Sequence, residues 1–82
     1  MITVQYYGPL RRITGSKEEK MAVGKVTELL REIGRKYGAE AQAMAEESFI
    51  LLDGKNIALI MGFKTSLQSG AVVKVLPLAG GG

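Results

Sequence analysis

The chain has 82 residues, 46% hydrophobic and 23% charged, with a formal net charge of +3. So short a chain builds one core, and this is the composition of a folded domain and not of a disordered segment. It contains no cysteine and no histidine, which excludes disulfides, thiolate or imidazole metal sites, cysteine nucleophiles and Ser-His constellations.

Few enzymes work from that inventory, and a cytoplasmic setting is expected. Apolar runs reach only about half a dozen residues against the roughly 20 that span a bilayer, so neither a signal peptide nor a membrane segment is expected. The 11 Lys and Arg residues are dispersed from Arg11 to Lys74. Without a basic block or interleaved aromatics, nucleic-acid binding is not expected.

In chain order, Ile2, Val4 and Tyr6 alternate with Thr3, Gln5 and Tyr7, the period of a half-buried strand. Gly8-Pro9 ends it, and residues 10–16 read as irregular. Lys17 to Val23 reads as the return strand of a long-looped hairpin, with Met21 and Val23 on one face. From Lys25 the period changes, and Val26, Leu29, Leu30, Ile33 and Tyr37 form one helical stripe. Glu32 lies in reach of Arg35 and Lys36, and Gly38 supplies the stop. Gly34 inside this helix is expected to mark close packing against a strand.

Ala39 to Glu47 reads as a short second helix. Phe49 to Leu52 is a continuously apolar central strand, Asp53-Gly54-Lys55-Asn56 carries turn chemistry, and Asn56 to Ile60 reads as a short strand. Met61 to Gly70 is expected to be a loop anchored by Phe63 and Leu67. Ala71 to Leu76 is the last strand, ended by Pro77.

The order β-β-α-β-β-β, packed economically, is an α+β protein: a mixed five-stranded sheet covered on one face by one main helix, the β-grasp. The domain is expected over 1–77, with 78–82 as a Gly-rich tail. Asp53 and the seven glutamates are spaced neither as a paired acid/base site nor as a metal cage. They read as solvated surface, and no metal site is expected.

The sequence finishes Leu76-Pro77-Leu78-Ala79-Gly80-Gly81-Gly82. Glycines without a Cβ let a tail extend into a narrow cleft. This ending resembles that of the ubiquitin-like sulfur carriers, and the chain is most similar to the small subunit of molybdopterin synthase. The opening ITVQYYGPLRRITG, the VTELLREI helix, LLDGKNI and SLQSGAVVKVLPLAGGG carry the resemblance. Leu78 stands where a second Pro is common, and Gly80 where Ala, Ser or Thr is usual.

The resemblance implies a carrier cycle with the Gly82 carboxylate as the reactive group and Gly80 and Gly81 as the tail that delivers it. An ATP-dependent E1-like activating enzyme, using ATP and magnesium that this chain does not itself bind, adenylates Gly82. A sulfur donor protein then converts it to a thiocarboxylate. The large subunit of molybdopterin synthase receives that sulfur for the dithiolene of molybdopterin, in molybdenum or tungsten cofactor synthesis. Catalytic side chains belong to the partners. Partner contacts are expected at Tyr7, Arg11, Leu76 and Leu78, with Arg11 and Lys74 flanking the tail. A thiamine-pathway sulfur carrier, a ubiquitin-like protein modifier or tRNA-thiolation carrier, and a plain β-grasp interaction module remain as alternatives.

Overall fold

A computed structural model describes residues 1–78 of the chain. Five strands, β1 (Ile2–Tyr6), β2 (Glu18–Met21), β3 (Phe49–Leu52), β4 (Lys55–Asn56) and β5 (Val72–Leu76), form one sheet in the order β2-β1-β5-β3-β4. β1 and β5 pair in parallel, and the other neighbours are antiparallel. Helices α1 (Pro9–Thr14), α2 (Val26–Tyr37) and α3 (Ala39–Glu46) complete the fold. It is the expected β-grasp, with α2 as its longest helix.

The alternation in β1 turns Ile2, Val4 and Tyr6 toward α2, where Val73, Val75 and Ile50 from the neighbouring strands meet them. The expected stripe closes this core from above, with Val26, Leu29, Leu30 and Ile33 all buried. α3 lies beside α2 through the small side chains of Ala41 and Ala45, both fully buried. A Cβ on Gly34 would stand 2.0 Å from Gln42 Oε1, so the close neighbour of Gly34 is α3 and not a strand.

Three expectations are corrected. Residues 9–14 are helical: Pro9 at the first helical position is pre-set for the turn, and Gly15 at φ 69° closes it by donating its N–H to Arg11 O at 2.9 Å. Leu10 anchors this helix, fully buried. The strand expected over 56–60 stops at Asn56, whose side chain accepts from Ala58 N at 2.9 Å and starts a 3-10 turn, Ile57–Leu59. The following loop contains a second such turn, Gly62–Lys64, and is anchored by Leu67 and Thr65, whereas Phe63 is exposed.

Glu19 is also corrected, since it is not solvated surface. Its Oε2 accepts from Tyr6 Oη and Tyr37 Oη, each at 2.6 Å, and its Oε1 is paired with Lys36. The Tyr6 and Tyr37 rings meet edge to face, 6.2 Å between centroids. β1, β2 and α2 are therefore tied by one carboxylate. Burial alone would raise the carboxyl's pKa, but the bonds from Lys36, Tyr37 and Tyr6 outweigh it and hold the group below the usual range. Burial, then the bond to Glu19, push Tyr6 far upward, keeping its hydroxyl protonated. Asp53 is structural too: at φ 48° its Oδ1 accepts from Val72 N at 2.9 Å, fixing the start of β5.

Two outcomes follow from this packing. Leu30→Ala, at a site 3% exposed, should cost roughly 2–5 kcal/mol in denaturant unfolding; a loss within about 0.5 kcal/mol would place the side chain at the surface. A carboxylate whose folded pKa is depressed adds stability above its unfolded pKa and loses it as pH falls through the folded value. Glu19→Gln should therefore be less stable than wild type by about 1–3 kcal/mol near pH 7. That gap should narrow below about pH 4.3, the unfolded glutamate value, and a gap of constant size down to about pH 3 would contradict the ionised hub.

Candidate functional site

With α2 and α3 on one side, no covering layer lies over the other sheet face among the described residues. Alternation sends Thr3, Gln5, Val72, Lys74, Phe49 and Leu51 to that face, because their neighbours Val4, Val73, Val75 and Ile50 point into the core. Registers then fix who stands beside whom: Gln5 pairs with Lys74, Lys74 with Leu51, and Leu76 with Phe49. One step past the end of β1, Tyr7 continues the outward row and stands level with Leu76.

The end of this face where β5 leaves the sheet is apolar. Phe49 is 54% exposed and Leu78 49%, while Tyr7 and Leu76 are half-buried. Gly8, at φ 56°, turns the chain sharply after Tyr7 so that α1 can begin. That turn brings Arg11 back over the aromatic ring. Its guanidinium carbon lies 5.0 Å from the Tyr7 centroid, and its Nε donates to Tyr6 O at 2.8 Å. A cation above an aromatic face is attracted by the ring quadrupole, and the backbone bond removes much of the rotamer freedom of a long side chain. Tyr7 Oη donates to Gln5 Oε1 at 3.4 Å. The result is a fixed Tyr7–Arg11 unit at the rim of an apolar patch.

Tyr7, Arg11, Leu76 and Leu78, separated by up to some seventy positions in the chain, are thus gathered at one end of the sheet. Lys74 lies two residues back on the same face, closer to its centre. Gly80, Gly81 and Gly82 lie outside the described residues. Phe49 is the residue that sequence reasoning missed. Its strand, Phe-Ile-Leu-Leu, is apolar at every position, which hides the alternation. The signal was nevertheless there: under a single helix layer, a strand apolar on both faces must leave one row uncovered.

Among the described residues no group of three acidic side chains is placed to hold a metal ion, and no helix is long and apolar enough to cross a membrane. What the face offers is area: the aromatic rings of Tyr7 and Phe49, the aliphatic side chains of Leu76 and Leu78, and one cation, Arg11, held over Tyr7 beside the end of β5. Apolar area with an ordered aromatic and cation at its rim is the kind of surface from which protein contacts are built.

The ThiS family, by its sequence profile, matches residues 4–82. No curated protein matches the chain. Among solved structures, it is similar to the small archaeal modifier protein 1 of Methanosarcina acetivorans, at 26% identity and a TM-score of 0.86, covering 99% of this chain and 95% of that one. A putative molybdopterin converting factor subunit 1 from Pyrococcus furiosus is 23% identical, with a TM-score of 0.74 over 93% and 94% of the two chains. A complex of subunits 1 and 2 of the molybdopterin-converting factor from Helicobacter pylori contains a chain 22% identical, with a TM-score of 0.70 over 99% and 97%.

Proposed function

From the premise that the chain belongs to the ThiS family of ubiquitin-like sulfur carriers, we propose that it delivers sulfur on the carboxylate of Gly82 for the dithiolene of molybdopterin. The observation that carries this reading is the apolar end of the open sheet face, where Tyr7, Phe49, Leu76 and Leu78 surround the point at which β5 hands the chain to its glycine tail. An anion is a poor electrophile. An activating enzyme makes the Gly82 oxygen attack the α-phosphorus of ATP, pyrophosphate leaves, and the acyl adenylate gains AMP as a leaving group. The outer sulfur of a persulfide on a sulfur donor protein then attacks the acyl carbon and displaces AMP, and a second thiol of the donor cleaves the S–S bond, leaving a disulfide on the donor and a thiocarboxylate on this chain.

The chain's own work is docking and aiming. Binding energy from the patch holds the domain on its partner while Gly80 and Gly81, lacking Cβ atoms, pass through a cleft too narrow for other residues. Activating enzyme and molybdopterin synthase large subunit need the same tail, so both are proposed to use this end of the sheet. The Helicobacter pylori complex, in which a chain of this fold is bound to a second subunit, supports a partner of that kind. ATP and magnesium act in the activating enzyme.

A second reading is favoured by one observation, the 26% identity to a small archaeal modifier protein: attachment of Gly82 to lysines of other proteins. Both readings share the adenylate, and they part at what displaces AMP, a sulfur or an amine.

Incubation with the activating enzyme, ATP and a sulfur source should raise the intact mass by the difference between sulfur and oxygen. Gly82 deletion, or one residue added after it, should abolish this gain and leave thermal unfolding nearly unchanged. No gain with a competent enzyme would remove the carrier reading, and an isopeptide-linked conjugate in its place would establish the modifier. For docking, Tyr7→Ala and Phe49→Ala should each weaken binding to the activating enzyme by about 2 kcal/mol, roughly thirtyfold, mainly through faster dissociation. Arg11→Glu should slow association in a salt-dependent way. Wild-type affinity in the two alanine variants would move the docking surface elsewhere.

A further inference from the structure

A second group of exposed apolar side chains lies beyond β4, across the end of the stretch expected as a short strand and the start of the expected loop. Leu59 is 75% exposed, Ile60 38%, Met61 66% and Phe63 43%. Four large apolar residues within a span of five are a patch, not scattered surface residues. Their backbone is nevertheless firmly held. Ile60 N donates to Ile57 O at 2.9 Å, Lys64 N to Met61 O at 3.0 Å and Thr65 N to Gly62 O at 3.0 Å. Beneath them Thr65, 1% exposed, donates its hydroxyl to Gly62 O at 2.6 Å and accepts from Met61 N at 3.1 Å. A surface ordered in advance loses little entropy when it binds.

The patch is also separate from the tail exit. Val26 N donates to Thr65 O at 3.1 Å and Leu67 N to Gly24 O at 2.9 Å, which pins this loop to the start of α2. α2 follows the end of β2, and that end pairs with Ile2 at the start of β1. Since β1 and β5 are parallel, the loop is pinned at the end of the sheet opposite the one from which Leu78 departs. The second 3-10 turn packs on α2, and so lies on the helix side and not on the open face.

Charge decides what fits there. Between Gly54 and Leu78 the sequence contains Lys55, Lys64 and Lys74 and no acidic residue. Lys55 and Lys64 flank the patch along the chain, and Lys25 is bridged to Ser66 just after it. Two copies meeting through this patch would set lysine against lysine in chains that each carry +3. Four side chains and two lysines without a second anchor give only marginal attachment to lipid.

We propose that Leu59, Ile60, Met61 and Phe63 form a second docking surface, for an acidic amphipathic helix of a protein partner. Apolar residues at i, i+3 and i+4 on that helix meet the patch, and its flanking glutamates or aspartates face Lys55 and Lys64. The flexible thioether of Met61 adapts to whichever side chains arrive. Because this surface and the tail exit lie at opposite ends, both can be occupied at once.

The test uses the full isotope-labelled chain and a synthetic amphipathic peptide with leucines on one helical face and glutamates elsewhere. Saturable amide shifts concentrated in residues 57–65 are expected, with affinity falling at least about tenfold in Leu59→Ser/Met61→Ser. Lys64→Glu should weaken binding without removing any apolar area, as should raised salt, whereas Phe49→Ser should leave it unchanged. Equal thermal midpoints for wild type and variants exclude loss of fold as the cause. Any of four results overturns the proposal: no peptide binding; shifts centred on Tyr7, Phe49 and Leu76; equal binding of a peptide with lysines in place of glutamates; or residues 57–65 responding instead to phosphatidylserine vesicles or to protein concentration alone.

Discussion

A five-stranded sheet has two faces, and this chain has helices enough for one. α2 and α3 pack side by side over Ile2, Val4, Tyr6, Val73 and Ile50, and the hydrophobic gain from that face, of the order of 25 cal/mol per Å² of apolar surface removed from water, supports the fold. The uncovered face is then forced on the molecule. Phe49, Leu76 and Tyr7 are held there by strand alternation as firmly as their neighbours are held in the core. An apolar surface built this way needs no separate stabilisation, because the same pleat that buries Val75 presents Leu76.

Glu19 shows how a small domain fixes the position of its helix layer. Hydrophobic packing is tolerant of sliding, whereas a carboxylate that accepts from two tyrosine hydroxyls on different elements is not. With Tyr6 on β1, Tyr37 on α2 and Glu19 itself on β2, three elements share one acceptor group. The edge strand β2 thereby gains a tie to the helix layer that its polar sequence, Glu-Glu-Lys-Met, could not provide through burial.

Legibility in the sequence followed the strength of periodicity. The stripe of α2 and the alternation of β1 were readable because each repeats over several turns or pleats, and the alternation put Tyr7 on the outward row, whereas contacts at Arg11 and Leu76 were expected from the resemblance to the sulfur carriers. Short elements were not readable. α1 has six residues with β-branched Ile13 and Thr14 at its end, so its helical character depends on Pro9, Gly15 and the burial of Leu10, which is a tertiary event. Asn56 reads equally as turn or strand until its side chain caps Ala58. Glu19 carries no local mark at all: among seven glutamates, only the cross-strand pairing with Val4 shows which one turns inward. Phe49 was hidden by a run apolar at every position.

The place of β5 bears on when the protein can act during its own synthesis. β5 is made after every other strand, yet it occupies the middle of the sheet, between β1 and β3. Until it inserts, β2-β1 and β3-β4 are two separate hairpin-like ribbons with no shared hydrogen bonds, and isolated two-stranded pairs are marginal in water. The contact that unites them joins residues some seventy positions apart, the kind of closure that forms late. The strand that completes the sheet is also the strand that leads into the tail. A newly made chain therefore cannot present the assembled open face before the residues that follow β5 are close behind, and a chain truncated before β5 has neither that face nor those residues.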